Sequence, residues 1–392
     1  MPSSPISRRA LLAAPLAGLS CGPPKAAGFP GYCFVANQEG HSVSVVDLYR
    51  RFRTIARILL DGAPSEVLSH SARRKVYALL PDSGAVCEID ATTVAVSRRA
   101  RMGNQALAMQ FSPTGEALWV LYRDPAALVE LPLETFRPGR RIRLGAPPDA
   151  LDLTSPPPDC ADRRAAILSR QQRTITIASL DHAQVERVIP AGAEPALVRF
   201  RKDGRHILVG NASERSLGIF ETASGKTVVR LPLPLAPRHF AIDSTGGQLF
   251  ISGDGMDAVV IVFPYTTEIW QTVLAGRAPG AMMTLEKSPG SFLLVANPET
   301  NSLTVLDLNT QKLVAVVQVG QGPCQILLTP AKQPDARYVL VVNRQSGDLA
   351  VIRNYALNSP QLGSYPWRKS APLFTMIPVG ESPVNATVLP LA

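Results

Sequence analysis

Along residues 291–320, SFLLVANPETNSLTVLDLNTQKLVAVVQVG, apolar side chains gather in three short runs, Phe292 to Asn297, Ser302 to Leu308 and Lys312 to Val319. Pro-Glu-Thr-Asn and Asn-Thr-Gln separate them. Runs of this length bounded by turn formers predict three antiparallel strands joined by tight turns. The stretch ends at Gly320, and Pro323 follows three residues later. A new strand pattern begins there.

That punctuation recurs. Gly62 with Pro64, Gly103, Gly145 with Pro148, Gly192 with Pro195, Pro234 with Pro237, Gly276 with Pro279, Gly320 with Pro323 and Gly380 with Pro383 lie 41, 42, 47, 42, 42, 44 and 60 residues apart. A period near forty with about four strands per unit is the mark of a radial propeller. The two long intervals hold SPPPDCADRR (Ser155 to Arg164) and NYALNSPQLGSYPWRKSAP (Asn354 to Pro372), which read as loops inserted into ordinary units.

After Gly380 only ESPVNATVLPLA remains, enough for one strand, while the segment from Cys33 to Leu60 lacks a first strand. Joined, the two ends make one period. The expected fold is therefore all-β, a β-propeller of four-stranded antiparallel blades in which N- and C-terminal strands share one blade, so that no sheet is left open. The count gives eight blades, with seven, the commoner number, as the alternative. Strands such as YVLVVN (Tyr338 to Asn343) are apolar on both faces, as packing between blades requires.

The segments FLLVAN…NSLTVLDL, CFVAN…HSVSVVDL, YVLVVN and HILVGN resemble the bacterial propeller repeat named after a Tyr-Val-Thr-Asn tetrapeptide, the group that includes YncE-like periplasmic proteins. The resemblance spans nearly all of residues 30–392. It implies the fold and an exported protein, and its consensus residues are structural: Asn37, Asn211, Asn297 and Asn343 close strands, and Asp47 and Asp307 accept backbone N–H groups of the following turn.

Residues 1–21 precede any repeat. Ser7-Arg8-Arg9 followed by an apolar run to Leu19 reads as a twin-arginine export signal, and the run is too short to span a bilayer. Cys21 stands where the acylated cysteine of a lipoprotein would, although Gly18-Leu19-Ser20 departs from the usual pattern; the other reading is cleavage nearby. Residues 22–29 would be a tether, and 30–392 a single domain in the periplasm or cell envelope.

The formal charge is +9, and removing Arg8 and Arg9 with the leader leaves 38 lysines and arginines against 31 acidic residues. This excess is compatible with an anionic partner, whether cell-envelope polymer, lipid headgroup or nucleic acid, and selects none. The arginines at 50–53, 98–101 and 137–143 are expected near third-to-fourth strand turns, on one rim. Of Cys33, Cys87, Cys160 and Cys324, no two have metal or haem-attachment spacing, so buried free thiols are expected, and no cofactor or metal is called for.

Residues just after each proline should ring the mouth of the central channel. They nominate Glu66, Asp149, Arg238, His239, Gln325 and Asn385 as ligand-binding candidates, with loops between second and third strands around them, among them His41 and Asp254-Gly255-Met256-Asp257, which reads as a turn. Ser65, His239 and Asp149 make a triad only on paper, since no nucleophile-elbow signature supports it. Single-strand nucleic-acid binding needs aromatic platforms; Trp119, inside the strand pattern LWVLY, is expected to pack between blades, which leaves Trp367 beside Arg368 and Lys369 as the best-placed platform. The sequence thus favours an exported, monomeric, non-catalytic propeller that binds a protein or cell-envelope partner at its mouth. The alternative is a periplasmic enzyme or cofactor carrier of the quinoprotein or lactonase kind, acting at the same mouth, and a third is binding of single-stranded DNA.

Overall fold

The structure, a computed structural model, describes residues 28–154, 163–288, 290–330, 338–357 and 372–391. The export signal, Cys21, Cys160, Trp367 and most of the two insertions lie outside the described residues. Described strands number 32 and form eight four-stranded antiparallel sheets. Beside them stands one short helix, Asn354–Leu357.

Eight blades, not seven, close the ring. The inner strands of successive blades contact one another all the way round. Closure is as the chain ends suggested: Pro383–Pro390 is the inner strand of blade 1 and pairs with Gly31–Asn37, from Gly31 opposite Pro390 to Asn37 opposite Pro383. Blades 2 to 8 then follow in order, their inner strands being Glu66–His70, Asn104–Phe111, Ala150–Leu153, Pro195–Phe200, Ala236–Ile242, Met282–Ser288 and Pro323–Leu328.

The core lies between the blades. Second and third strands are buried on both faces, and each apolar cluster joins two neighbouring sheets. Trp119 fills the seam of blades 3 and 4, as its strand pattern suggested. Asp47, Asp90 and Asp307 each accept two backbone N–H groups of the next turn, as at Asp307, whose Oδ1 lies 2.9 and 2.7 Å from the amides of Asn309 and Thr310.

The glycine of the repeat has a packing reason. Gly276 and Gly380 adopt φ of +95° and +149°, and a Cβ on either would press into the buried amides of Asn297 and Asn37. Asparagine closes the second strand, and only glycine lets the incoming loop pass over it.

The arginine clusters do not form one rim. Arg50 and Arg51 lie at a third-to-fourth strand turn, but Arg98 to Arg101 run up an outer strand toward the mouth. Two members clamp seams, Arg98 donating to the carbonyls of Leu133 and Glu134 in blade 3 and Arg140 to those of Leu180 and Asp181 in blade 4, and Arg187, outside the clusters, donates likewise to Ala223 in blade 5. Arg98 also pairs with Glu88, whose side chain is only 2% exposed. Burial would raise the Glu88 carboxyl, yet the hydrogen bonds from Arg98 and Ser97 hold it below its usual range.

Cys33, Cys87 and Cys324 are free thiols, with Cys33 and Cys87 buried. Burial pushes the Cys87 and Cys324 thiols up to about 11.

Candidate functional site

An inner strand is the edge of its sheet, so its outward N–H and C=O groups face the channel unpaired. Side chains of neighbouring blades satisfy them. Gln325 of blade 8 accepts the Ala386 amide at 2.6 Å and donates to the Ala386 carbonyl at 3.4 Å. Asn385 of blade 1 accepts the Val67 amide at 2.8 Å, and Glu66 of blade 2 accepts the Met109 amide at 3.0 Å. Gln110 of blade 3 then holds Leu153, and Asp152 of blade 4 holds Phe200. Five seams in a row are zipped this way.

Three nominated residues are thereby committed to the ring itself. Glu66, Gln325 and Asn385 occupy one repeat position, each opposite the penultimate residue of its second strand, Leu79, Val342 and Ala36. Asp149 sits one residue ahead of that position, which Ala150 fills in blade 4. Its carboxylate is held by Arg123 at 2.7 Å and by the Arg170 amide at 2.7 Å.

His239 occupies the same position in blade 6, opposite Ser252. Unlike the other three polar residues there, it makes no hydrogen bond to any described residue. Its ring is exposed at the mouth and lines a cavity of about 600 Å³ between blades 6 and 7, together with Arg238, Asp254, Asp257, Arg277 and Glu299. Arg238 Nε lies 2.7 Å from Asp254 and Arg277 Nε 2.9 Å from Glu299. Asp257 accepts the Ala278 amide at 2.9 Å, so Asp254 to Asp257 is a turn that shapes the wall. The imidazole titrates below its ordinary range, first because the channel wall desolvates it; Arg238 adds to this and Asp254 opposes it. At neutral pH it is the uncharged base.

Blade 6, like blades 2, 3 and 4, lacks the asparagine that closes the second strand elsewhere. Gly253 replaces the strand-closing asparagine, and a Cβ there would run into the Ala236 carbonyl. The inner strand packs against bare backbone, and no amide side chain fills the mouth beside His239.

A second hollow of about 670 Å³ lies on the same face at the seam of blades 8 and 1, lined by Glu39, Arg344, Ser346 and Glu381 among others. Arg344 spans it, donating to Gln38 and Ser382. Between the hollows, Arg170, Arg173 and Arg215 are exposed, and their guanidinium groups have no acidic partner among the described residues.

The paper triad is not assembled. Ser65 Oγ has no hydrogen-bond partner, Asp149 is engaged by blades 3 and 4, and His239 is in blade 6. Among the described residues no three His, Cys, Asp or Glu side chains converge as a metal site needs. Trp119 is in the core and Trp270 on an outer strand, so neither offers a stacking platform at the mouth.

No protein-family model matches the chain, and no curated protein matches its sequence. Solved structures do match in fold. Dihydro-heme d1 dehydrogenase NirN, solved in complex with DHE, superimposes with a TM-score of 0.69 at 16% identity, covering 95% of this chain and 78% of that one. Kuenenia stuttgartiensis hydrazine synthase gives 0.55 at 20% identity over 87% and 99% of the two chains. A functionally unknown protein from Desulfotomaculum acetoxidans gives 0.56 at 13% identity over 73% and 94%. At these identities the likeness is one of fold.

Proposed function

We propose that this protein is an exported, non-catalytic binding propeller whose mouth holds a planar, carboxylate-bearing ligand of the haem-type tetrapyrrole class, seated on His239. The observation that carries the reading is the free imidazole: of four polar residues at one repeat position, three are consumed by ring closure and the fourth faces a cavity. A cavity of about 600 Å³ is within the usual range for a cofactor-sized ligand. The likeness in fold to dihydro-heme d1 dehydrogenase NirN, solved in complex with DHE, supports this choice of ligand class.

The residues fit such a group. An uncharged imidazole with no other partner is an iron donor, and Arg238 and Arg277, 41% and 72% exposed, can turn from Asp254 and Glu299 to ring carboxylates. When bound, the group would supply the redox and optical properties of its iron. The chain's part would be to hold and orient the group, His239 as donor to its iron and Arg238 and Arg277 as partners of its carboxylates.

Titrating ferric protoporphyrin IX into the full chain tests this. The expected result is a saturable shift of the haem absorption band that is lost in His239→Ala and weakened at least about tenfold in an Arg238→Ala, Arg277→Ala double variant, since each charge-assisted contact contributes roughly 1.5–3 kcal/mol. No shift with the native chain, or an unchanged shift in His239→Ala, overturns the proposal.

A second reading keeps the mouth and changes the occupant. Arg170, Arg173 and Arg215, without acidic partners, favour an anionic protein or cell-envelope polymer across blades 4 and 5. The resemblance of the repeat residues to the exported YVTN group supports an envelope partner in this reading.

A further inference from the structure

We infer that the outer wall of blades 6 and 7 is the contact surface of a symmetric dimer. The outer strands of blades 1 to 5, RTIARIL, AVSRRAR, RIR, QVERVIP and TVVRLP, each carry arginine. Those of blades 6, 7 and 8, EIWQTVL, LVAVVQ and LFTMIP, carry no cation. An edge strand without cations lacks one guard against pairing or packing. Apolar side chains stand out from it: Trp270 is 57% exposed, Leu313 58% and Val316 53%. Contiguous exposure of this kind marks an interaction surface.

Charge selects the occupant. Glu268 opens the outer strand of blade 6, and Lys312 immediately precedes that of blade 7. They fill the same repeat position, following the same turn at the same height of the wall, as the pairing of Ile269 with Val262 and of Leu313 with Leu306 shows. Both are exposed, and neither has an ionic partner among the described residues. Consider a two-fold axis parallel to the channel and passing between these two strands. It sets blade 6 of one copy against blade 7 of the other, so that Glu268 meets Lys312 of the second copy, and Lys312 meets the second Glu268. Ile269 and Trp270 then face Leu313 and Val316. The surface is its own complement in shape of pattern and sign of charge, which a two-fold interface demands. The arginine-bearing walls would instead oppose like charges. This departs from the monomer expected of a closed ring, and it does not depend on what the mouth binds.

Sedimentation and light scattering on the full chain test it. The native protein should show twice the chain mass, dissociating on dilution. Glu268→Lys should raise the dissociation constant at least about tenfold, a loss of about 1.4 kcal/mol. Adding Lys312→Glu to that variant should restore association, because the reversed pair is again complementary. Leu313→Arg should give a monomer that melts like the native fold. A native chain that is monomeric at every concentration, a dimer indifferent to Glu268→Lys and Leu313→Arg, or a charge reversal that fails to restore association overturns the inference.

Discussion

Glu66→Gln should stabilise the protein, and should do so only above acidic pH. The Glu66 carboxyl is half-buried where blades 2 and 3 meet at the channel, and its pKa is raised to about 7, chiefly by desolvation, against smaller opposing effects of the Met109 amide and Arg199. A carboxyl that binds its proton more tightly when folded adds stability below its unfolded pKa and loses that contribution as pH climbs to its folded pKa. The loss therefore falls between about pH 4.5 and 7. The contribution at stake is roughly 3 kcal/mol, a ceiling because the channel is open to water. Glutamine keeps the acceptor without the charge, and the ring already uses this solution at Gln325, where the amide holds both backbone groups of Ala386. Thermal melts of native and variant proteins across this range should coincide near the acid end and separate to a higher midpoint for Glu66→Gln near pH 8. A gap independent of pH, or a variant that melts lower at alkaline pH, would refute the reasoning.

Arg98→Ala should destabilise by about 2–4 kcal/mol, because it leaves the buried Glu88 carboxylate only Ser97 and the more distant Lys75 and frees two seam carbonyls, and denaturant melts measure it. Gly253→Ala should cost several kcal/mol by driving a methyl group into the Ala236 carbonyl, and should weaken haem binding beyond its effect on melting. Removing residues 383–392 deletes the inner strand of blade 1 and should leave an aggregating chain, seen by scattering, that a synthetic peptide of that segment partly rescues. Haem affinity, read from the absorption band across a pH series, should hold at neutral pH and fall in acid once the imidazole takes a proton, at a pH below the usual histidine range.

The architecture was legible because it is written eight times. Glycine passes over asparagine at Gly276 and Gly380, aspartate caps the turn at Asp47 and Asp307, and the unpaired tail from Pro383 matches the strand missing before Cys33. The site was half legible. Counting from the prolines brought Glu66, His239, Gln325 and Asn385 to one position, and the structure agrees. Which of them is free was hidden, since that depends on whether each side chain reaches the amide of the next blade. Asp149 shows the limit of counting, for one residue of offset turns a candidate into the anchor of Arg123. The arginine clusters misled for a related reason: a run of cations looks like a rim until its carbonyl partners are seen on the adjoining sheet.

The pairing of Gly31 with Pro390 fixes an orientation as well as a closure. The first strand climbs from the lower face to the mouth and the last descends the same way, so both ends of the propeller leave from beneath the disc. Anything fastened there, be it lipid, tag or fused domain, holds the molecule like a cup on its stem. His239 and the arginines around it then point away from the support, open to whatever diffuses past.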